Sequence, residues 1–553
     1  MHVFLPLLVA LSAVIATGHA AEPRPPHVLV ILADDLGFSD LGAYGGEIDT
    51  PHLDALATGG LRFTQGYSTS RCWPSRAALL TGYYPQAVGR DALPGGPGGR
   101  QGVRPAWARL LPELLASAGY RSYHSGKWHV DGDPRQQGFA RSLLVDAAAQ
   151  YNYFTSTSVT AEGEPVPETP ITYVTTLIGD HAVACLREHA ARHAGAPFFH
   201  YVAFTAPHFP LHAPAELIAK YRDRYRAGWD AVRAARIERL AAMGIVTTPA
   251  GGMERGVGPL HPLKTMRETL GPDEVDQPLP WTELTAAQQA FQVEKMAIHA
   301  AMVEAMDRQV GRIVAELRAA GLFDDTFILF ASDNGASAEM LVRGEGHDPA
   351  APPGSRPTFL CLGPGWSSAA NAPFRRHKVW VHEGGIATPW IVHWPRGVAA
   401  RGELRRPLVH LVDVAATVLD LAGVTPPAEH DGRPVPPRHG RSFRPALAAA
   451  APVHDELWWC HAGNRAVRVG DWKLVADDGQ AWELYDLAAD RCETRDLAAA
   501  HPQKVRDLAA RWEATAVECR RLAAAPQPPA ATSAGPGGSS GGAAAIRRAA
   551  DHR

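Results

Sequence analysis

The sequence predicts an α/β protein: a mostly parallel sheet flanked by helices, with a smaller C-terminal α+β subdomain carrying an antiparallel sheet. Three observations predict it. Apolar runs at residues 27–33, 120–125, 197–204 and 326–331 each pass into charged or imidazole residues. Segments of helical periodicity separate these runs, and strands that alternate with helices build parallel sheets. Around residues 435–455 prolines and then alanines cluster, and short alternating runs follow.

The elements follow in order. The apolar run at residues 3–16 is too short to span a bilayer and small residues follow it, so residues 1–21 read as a signal peptide. The chain is then expected to be exported, periplasmic or secreted, with no membrane attachment after cleavage. Residues 27–33 form a continuous apolar run between Pro26 and Asp34-Asp35, the pattern of a strand covered on both faces. A helix is expected from Pro51, with Leu53, Leu56 and Ala57 on one face. Residues 111–118 read as another, closed by Gly119, a frequent C-terminal cap. Longer helices are expected at 179–193 and 287–320; the second carries Met296, Met302 and Met306 at helical spacing, which suits core packing. Residues 222–282 read as a less regular insertion, and 343–371 as loop-rich. Residues 389–394 form a further apolar strand. The larger α/β domain is assigned to 22–445 and the C-terminal subdomain to 446–522. Within the latter, residues 465–475 alternate and turn at Gly470-Asp471, as an antiparallel hairpin does. Residues 482–487 continue the sheet, and 501–518 read as a closing amphipathic helix. Residues 523–553 are dominated by Pro, Gly, Ser and Ala, a composition that builds no core, so a disordered tail is expected there.

The 553 residues carry a formal net charge of -3, with 46% hydrophobic and 20% charged residues. That is a globular composition without the basic excess of a nucleic-acid binder. Six cysteines in such a chain are too few for a disulfide scaffold.

Ligands of open α/β sheets collect at the carboxyl ends of strands. There the sequence places Asp34-Asp35, Lys127 with His129, His208, and Asp333-Asn334. The aspartates and Asn334 offer oxygen ligands, which suit a hard divalent cation. Cys72 stands at the start of a predicted helix, near Arg76. Both features favour negative charge.

The string Cys72-Trp73-Pro74-Ser75-Arg76, followed by Leu80-Thr81-Gly82, resembles the signature of type I, formylglycine-dependent sulfatases of the arylsulfatase type. Further strings match in order: Asp34-Asp35, Gly126-Lys127-Trp128-His129, Ala206-Pro207-His208, Ser332-Asp333-Asn334-Gly335, and Lys378 ahead of Glu383-Gly384-Gly385. The resemblance implies an alkaline-phosphatase-like fold and a hydrolase of sulfate esters, aryl or carbohydrate. It implies that a maturation enzyme oxidises Cys72 to Cα-formylglycine. It implies Ca²⁺, with Mg²⁺ as the fallback, held by Asp34, Asp35, Asp333, Asn334 and an oxygen of residue 72. Arg76 is implied to hold the hydrated aldehyde, Lys127 and Lys378 to neutralise sulfate, and Asp333 to act as base. His208 is implied to protonate the leaving oxygen and His129 to take the proton that releases sulfate. His52, His347, His377 and His382 have no such support and are expected to be structural or to line a pocket. Residues 143–150 lack the glycines expected before Tyr151-Asn152-Tyr153-Phe154, which puts a nearby substrate contact in question. Two other readings compete: a phosphonate or phosphate ester hydrolase on the same fold, and an inactive protein that binds sulfated glycans.

Overall fold

The computed structural model describes residues 24–91, 102–146, 151–170, 172–259, 266–344 and 346–524. The signal peptide, residues 147–150 of the divergent segment, and all but the first two residues of the C-terminal tail lie outside them.

A ten-stranded sheet forms the centre, in the order Glu403–Arg405, Leu61–Phe63, Trp390–His393, Thr326–Ser332, His27–Ala33, Phe198–Ala203, Arg121–Lys127, Phe139–Val145, Val159–Ala161, Glu164–Pro165. The five strands from Thr326–Ser332 to Phe139–Val145 are mutually parallel. Trp390–His393 runs antiparallel to its neighbours on both sides. The central strand His27–Ala33 explains why its sequence does not alternate. Leu29, Ile31 and Ala33 enter one buried cluster, and Val28, Val30 and Leu32 enter another on the opposite face. The first face is covered by the helices Val174–Arg192 and Ala286–Ala319, whose Met296, Met302 and Met306 are fully buried there. The second is covered in part by Cys72–Thr81 and Asp413–Leu421.

Register aligns the chemistry. Ala33 pairs with Ser332, Leu32 with Ala203, and Ala203 with Gly126. Asp34, Asp333 and Lys127 therefore leave their strands at one level of the rim. The return segment closes against it by contacts that only glycine permits. A Cβ on Gly335 would lie 2.0 Å from the Gly384 carbonyl oxygen, and one on Gly385 would lie 1.9 Å from that of Trp380. The Gly335 N–H donates to the Gly385 carbonyl at 3.1 Å and the Lys378 N–H to that of Ala336 at 3.1 Å. Lys378 is thereby carried to the rim.

The C-terminal sheet is antiparallel, with Glu456–His461, Asn464–Val469, Trp472–Ala476 and Glu483–Asp486 in sequential order. Val469 pairs with Trp472 across the Gly470-Asp471 turn, as the sequence predicts. The closing helix Pro502–Ala523 packs Leu508 and Trp512 on this sheet. A buried ion network joins the sheet to the larger sheet's loops. Lys473 Nζ lies 2.9 Å from Glu383 Oε1 and 2.7 Å from Glu493 Oε1, and all three side chains are inaccessible to solvent. The Tyr67 hydroxyl donates to Glu383 Oε2 at 2.9 Å.

One expectation fails. The insertion at 222–282 contains a regular helix, Gly228–Ala242, that faces the core with Trp229, Val232, Arg233, Arg236 and Leu240. Its buried face is partly arginine: Arg236 is wholly buried and pairs with Asp40 and Glu47 at 2.7 Å each. Paired arginines take positions where apolar periodicity would be sought.

Removing one partner of the Lys473 network isolates buried charge. Lys473→Met should lower the unfolding free energy by roughly 3–5 kcal/mol, because Glu383 and Glu493 keep their desolvation cost without the ammonium. Denaturant unfolding of the two proteins measures it; a change under about 1 kcal/mol, the range of an exposed pair, would refute the role given to this network.

Candidate active site

Every predicted site residue lies at the same rim. Cys72 is the first residue of the buried helix Cys72–Thr81, with Arg71 extended before it. The Ser75 hydroxyl donates to the Asp333 carbonyl at 2.5 Å and accepts the Thr69 N–H at 3.1 Å. This ties the helix start to the end of a central strand.

The carboxylates are neutralised in pairs. Lys127 Nζ sits against Asp34 Oδ2. Lys378 Nζ lies 2.9 Å from Asp35 and 3.2 Å from Glu339 Oε2. Arg76 donates to Asp333 Oδ2 from Nε at 3.1 Å and Nη2 at 2.7 Å, and from Nη1 to the Lys127 carbonyl at 2.9 Å. Its fourth contact, also from Nη1, is to the Tyr201 hydroxyl at 3.4 Å. These contacts place the guanidinium on the Asp333 carboxylate; the expected hold on the hydrated aldehyde concerns residue 72 in its modified form. With both groups cut off from solvent, Arg76 serves the Asp333 carboxylate, which has no water to stabilise it.

Burial and these partners set the charge states. Burial alone would raise Asp34, but Lys127, His208, Arg76 and Lys378 hold its carboxyl below the usual range. Burial and the neighbouring Asp34 push Asp333 up to about 7. Burial works against the charged form of Lys378, yet Asp35 and Glu339 hold its ammonium above its ordinary value. Burial lowers His208 to about 4 and takes His129 well below its ordinary value. The Cys72 thiol is pushed up by burial, which outweighs Lys127 and Lys378. A position at a helix start beside a guanidinium does not make this thiol acidic.

A divalent cation fits this donor set. Asp34 Oδ1 and Asn334 Oδ1 are buried with no hydrogen-bond partner among the described residues. Orphaned buried oxygens of this kind are costly, and both belong to the predicted ligand set. Asp34, Asp35 and His208 bring ligand atoms within 4.8 Å of one another. Asn334 Nδ2 donates to Asp35 Oδ1 at 2.6 Å, which directs its oxygen the other way.

The two histidines flank the cluster. His208 Nδ1 lies 2.5 Å from the Phe209 carbonyl and Nε2 3.7 Å from Asp35 Oδ2. His129 has a left-handed backbone, φ 56°, and its buried Nδ1 has no hydrogen-bond partner among the described residues. Its ring meets Trp73 edge-on at 5.7 Å. His52, His347, His377 and His382 are held by other parts of the fold and stay outside the constellation. Sequence reasoning missed Glu339, which bridges Lys378 and Arg71, and Tyr201 behind Arg76. Glu339 lies 39 positions before Lys378 in sequence, so no spacing rule links them. Its one signal was a carboxylate four residues after Gly335. All six cysteines are buried and free, so no disulfide occurs among the described residues.

A family model described as sulfatase matches residues 26–424, and one described as N-sulphoglucosamine sulphohydrolase, C-terminal, matches residues 375–516. An uncharacterized sulfatase of Schizosaccharomyces pombe is 32% identical over 542 residues, covering 90% of this chain and 94% of that protein. An arylsulfatase of Klebsiella aerogenes is 30% identical over 479 residues, covering 80% of this chain and 96% of that protein. Among solved structures, Ps i-CgsB in complex with k-i-k-neocarrahexaose superposes with a TM-score of 0.65 at 23% identity, covering 91% of this chain and 94% of that one. The fold is thus the alkaline-phosphatase-like one that the sequence implied.

Ca²⁺ or Mg²⁺ titrated into metal-stripped protein should raise its thermal midpoint, by about 2.7 kcal/mol of stabilisation at 100-fold excess over Kd. Asp34→Asn, which keeps the shape and removes a charge, should lose most of that gain. Equal gains in both proteins would place the ion elsewhere.

Proposed function

The chain belongs to the sulfatase family of sulfuric ester hydrolases, and on that premise we propose that it is an exported enzyme that hydrolyses aryl or carbohydrate sulfate esters, releasing inorganic sulfate, with an oxidised residue 72 and a divalent cation. One observation carries the reading. Cys72, three buried cationic side chains and two unpartnered buried oxygens meet at a single rim.

Asp34, Asp35, Asp333 and Asn334 would hold the cation, together with an oxygen at residue 72; three carboxylates suit Ca²⁺, with Mg²⁺ the fallback. When bound, the cation supplies polarisation of a sulfate oxygen and a more acidic attacking hydroxyl. That hydroxyl belongs to hydrated Cα-formylglycine, made from Cys72 by a formylglycine-generating maturation enzyme whose target string includes Pro74 and Arg76. The encoded thiol is no substitute, since attack by sulfur would leave a thiosulfate ester with no internal exit.

The chain's own residues do the remaining work. Lys127 and Lys378 bring two ammonium groups to a sulfate whose oxygens gain charge as the ester bond breaks. Arg76 positions Asp333, which takes the proton of the attacking hydroxyl. His208 donates its Nδ1–H to the Phe209 carbonyl; the anionic sulfate favours the imidazolium form, whose Nε2–H passes to the departing alcohol oxygen and leaves the neutral ring. His129, beside Trp73, accepts the proton whose removal lets sulfate go.

Active protein should show residue 72 lighter than the encoded cysteine by peptide mass spectrometry, with activity proportional to the converted fraction. Its kcat/KM should be higher for 4-nitrophenyl sulfate than for the matching aryl phosphonate. Full activity from unconverted Cys72 would end the mechanism, and a preference for the phosphonate would hand the site to the competing hydrolase reading.

His208→Ala should separate substrates by leaving group. The loss should reach about 10²–10⁴-fold for alkyl or sugar sulfates, which need a proton donor, and be far smaller for 4-nitrophenyl sulfate. A uniform loss across a leaving-group series would remove His208 from the acid role.

A further inference from the structure

A cleft of about 1220 Å³ opens beside Arg71 and Trp73, the residues on either side of Cys72. Its far wall comes from the C-terminal subdomain, with His461 and Asn464 from the sheet and Gln480 and Trp482 from the loop before its last strand. His461 ends the strand Glu456–His461 and is nearly buried, at 2% exposure. Its Nδ1 lies 2.6 Å from Asp91 Oδ2, and Asp91 also accepts from Gln86 Nε2 at 3.1 Å. The His461 ring meets Trp73 edge-on at 5.7 Å, and Trp73 meets His129 at the same separation. A chain of three rings thus runs from the proposed proton acceptor to the cleft wall.

We propose that His461, positioned by Asp91, is a specificity residue that binds a hydroxyl on the alcohol side of the sulfate ester, so that the preferred substrate is a sulfated carbohydrate. This rests on reading the site as a sulfatase site. With Nδ1–H donated to Asp91, the tautomer is fixed and Nε2 is the ring's remaining polar atom. Nε2 makes no hydrogen bond to the described residues, although the ring lines the cleft. A carboxylate spent on orienting a histidine is the arrangement of a ring that must meet a partner at a set angle. The lining around it is polar and charged, with Arg376, Asp477 and Asp478 joining Asn464 and Gln480. Arg376 and Asp477 already pair with each other at 2.9 Å; a flat, apolar aryl group would desolvate this polar wall without offering it a hydrogen bond, whereas a ring bearing several hydroxyls offers them and packs its carbon face on tryptophan.

The test compares kcat/KM for two kinds of probe: 4-nitrophenyl sulfate, and the best-cleaved member of a panel of sulfated mono- and disaccharides. The ratio between them cancels the concentration of folded, matured enzyme, so a poorly folding variant remains informative. His461→Ala should lower the sugar-to-aryl ratio about tenfold or more, the worth of one buried hydrogen bond, chiefly through KM for the sugar. Asp91→Asn should lower it less, and His461→Gln, whose amide reaches toward the Nε2 position, should retain more of it than His461→Ala. An unchanged ratio would overturn the proposal, whether both activities fall together or neither falls. Wild-type protein that cleaves the aryl sulfate but no member of the panel would also overturn it, and would leave the sulfatase reading standing. Protein that cleaves neither kind of probe would overturn that reading, and this inference with it.

Discussion

The rest of the structure depends on the neutralisation of buried charge at the carboxyl ends of the central strands. Asp34, Asp35 and Asp333 are almost wholly cut off from solvent, and so are Lys127, Lys378 and Arg76. An isolated charge in such a place would cost more than the fold can supply. Each carboxylate therefore carries a cationic partner, and each partner arrives from a different element. Lys127 ends a strand, Arg76 lies in the first turns of a helix, and Lys378 sits in a return loop held by Gly335 and Gly385. The pairing fixes how those elements close on one another, so the charge cluster is both the product of the fold and a condition on it.

This also explains which parts were legible in the sequence. Strands buried on both faces leave continuous apolar runs, and His27–Ala33 and Thr326–Ser332 match their expected bounds to within one residue. Their charged endings stand out because nothing in the preceding run resembles them. The Gly228–Ala242 helix was hidden because Arg236 and Arg233 occupy its inner face, and periodicity of apolar residues does not register a buried arginine. Glu339 and the Asp91–His461 pair were hidden for a different reason. Their partners are distant in sequence, at a separation of 370 residues for Asp91 and His461, and no local pattern announces a contact made only after the two sheets meet.

Arg76 shows how the structure refines a motif. Its place in the signature string links it to residue 72, four positions earlier. Its guanidinium also makes a forked contact with Asp333 and reaches the Lys127 carbonyl. A fork of donors matches a carboxylate better than a single hydroxyl does. Arg76 thus ties together the ends of two strands, and a lysine at this position would satisfy the charge but not both strand ends at once.

The two sheets divide the work by the kind of interaction each can provide. The parallel sheet gathers charge at its rim because its strand ends converge there. Charge–charge contacts are strong but indifferent to the alcohol that carries the sulfate. Discrimination needs directional groups placed farther out, and the C-terminal subdomain offers His461, Asn464 and Gln480 on the cleft wall for that proposed task. That wall is tied to the rim by the Lys473–Glu383–Glu493 network. Glu383 begins the Glu-Gly-Gly turn whose close packing also positions Lys378. One buried carboxylate therefore couples the placement of Lys378, the proposed sulfate-binding lysine, to that of the wall proposed to read the rest of the substrate.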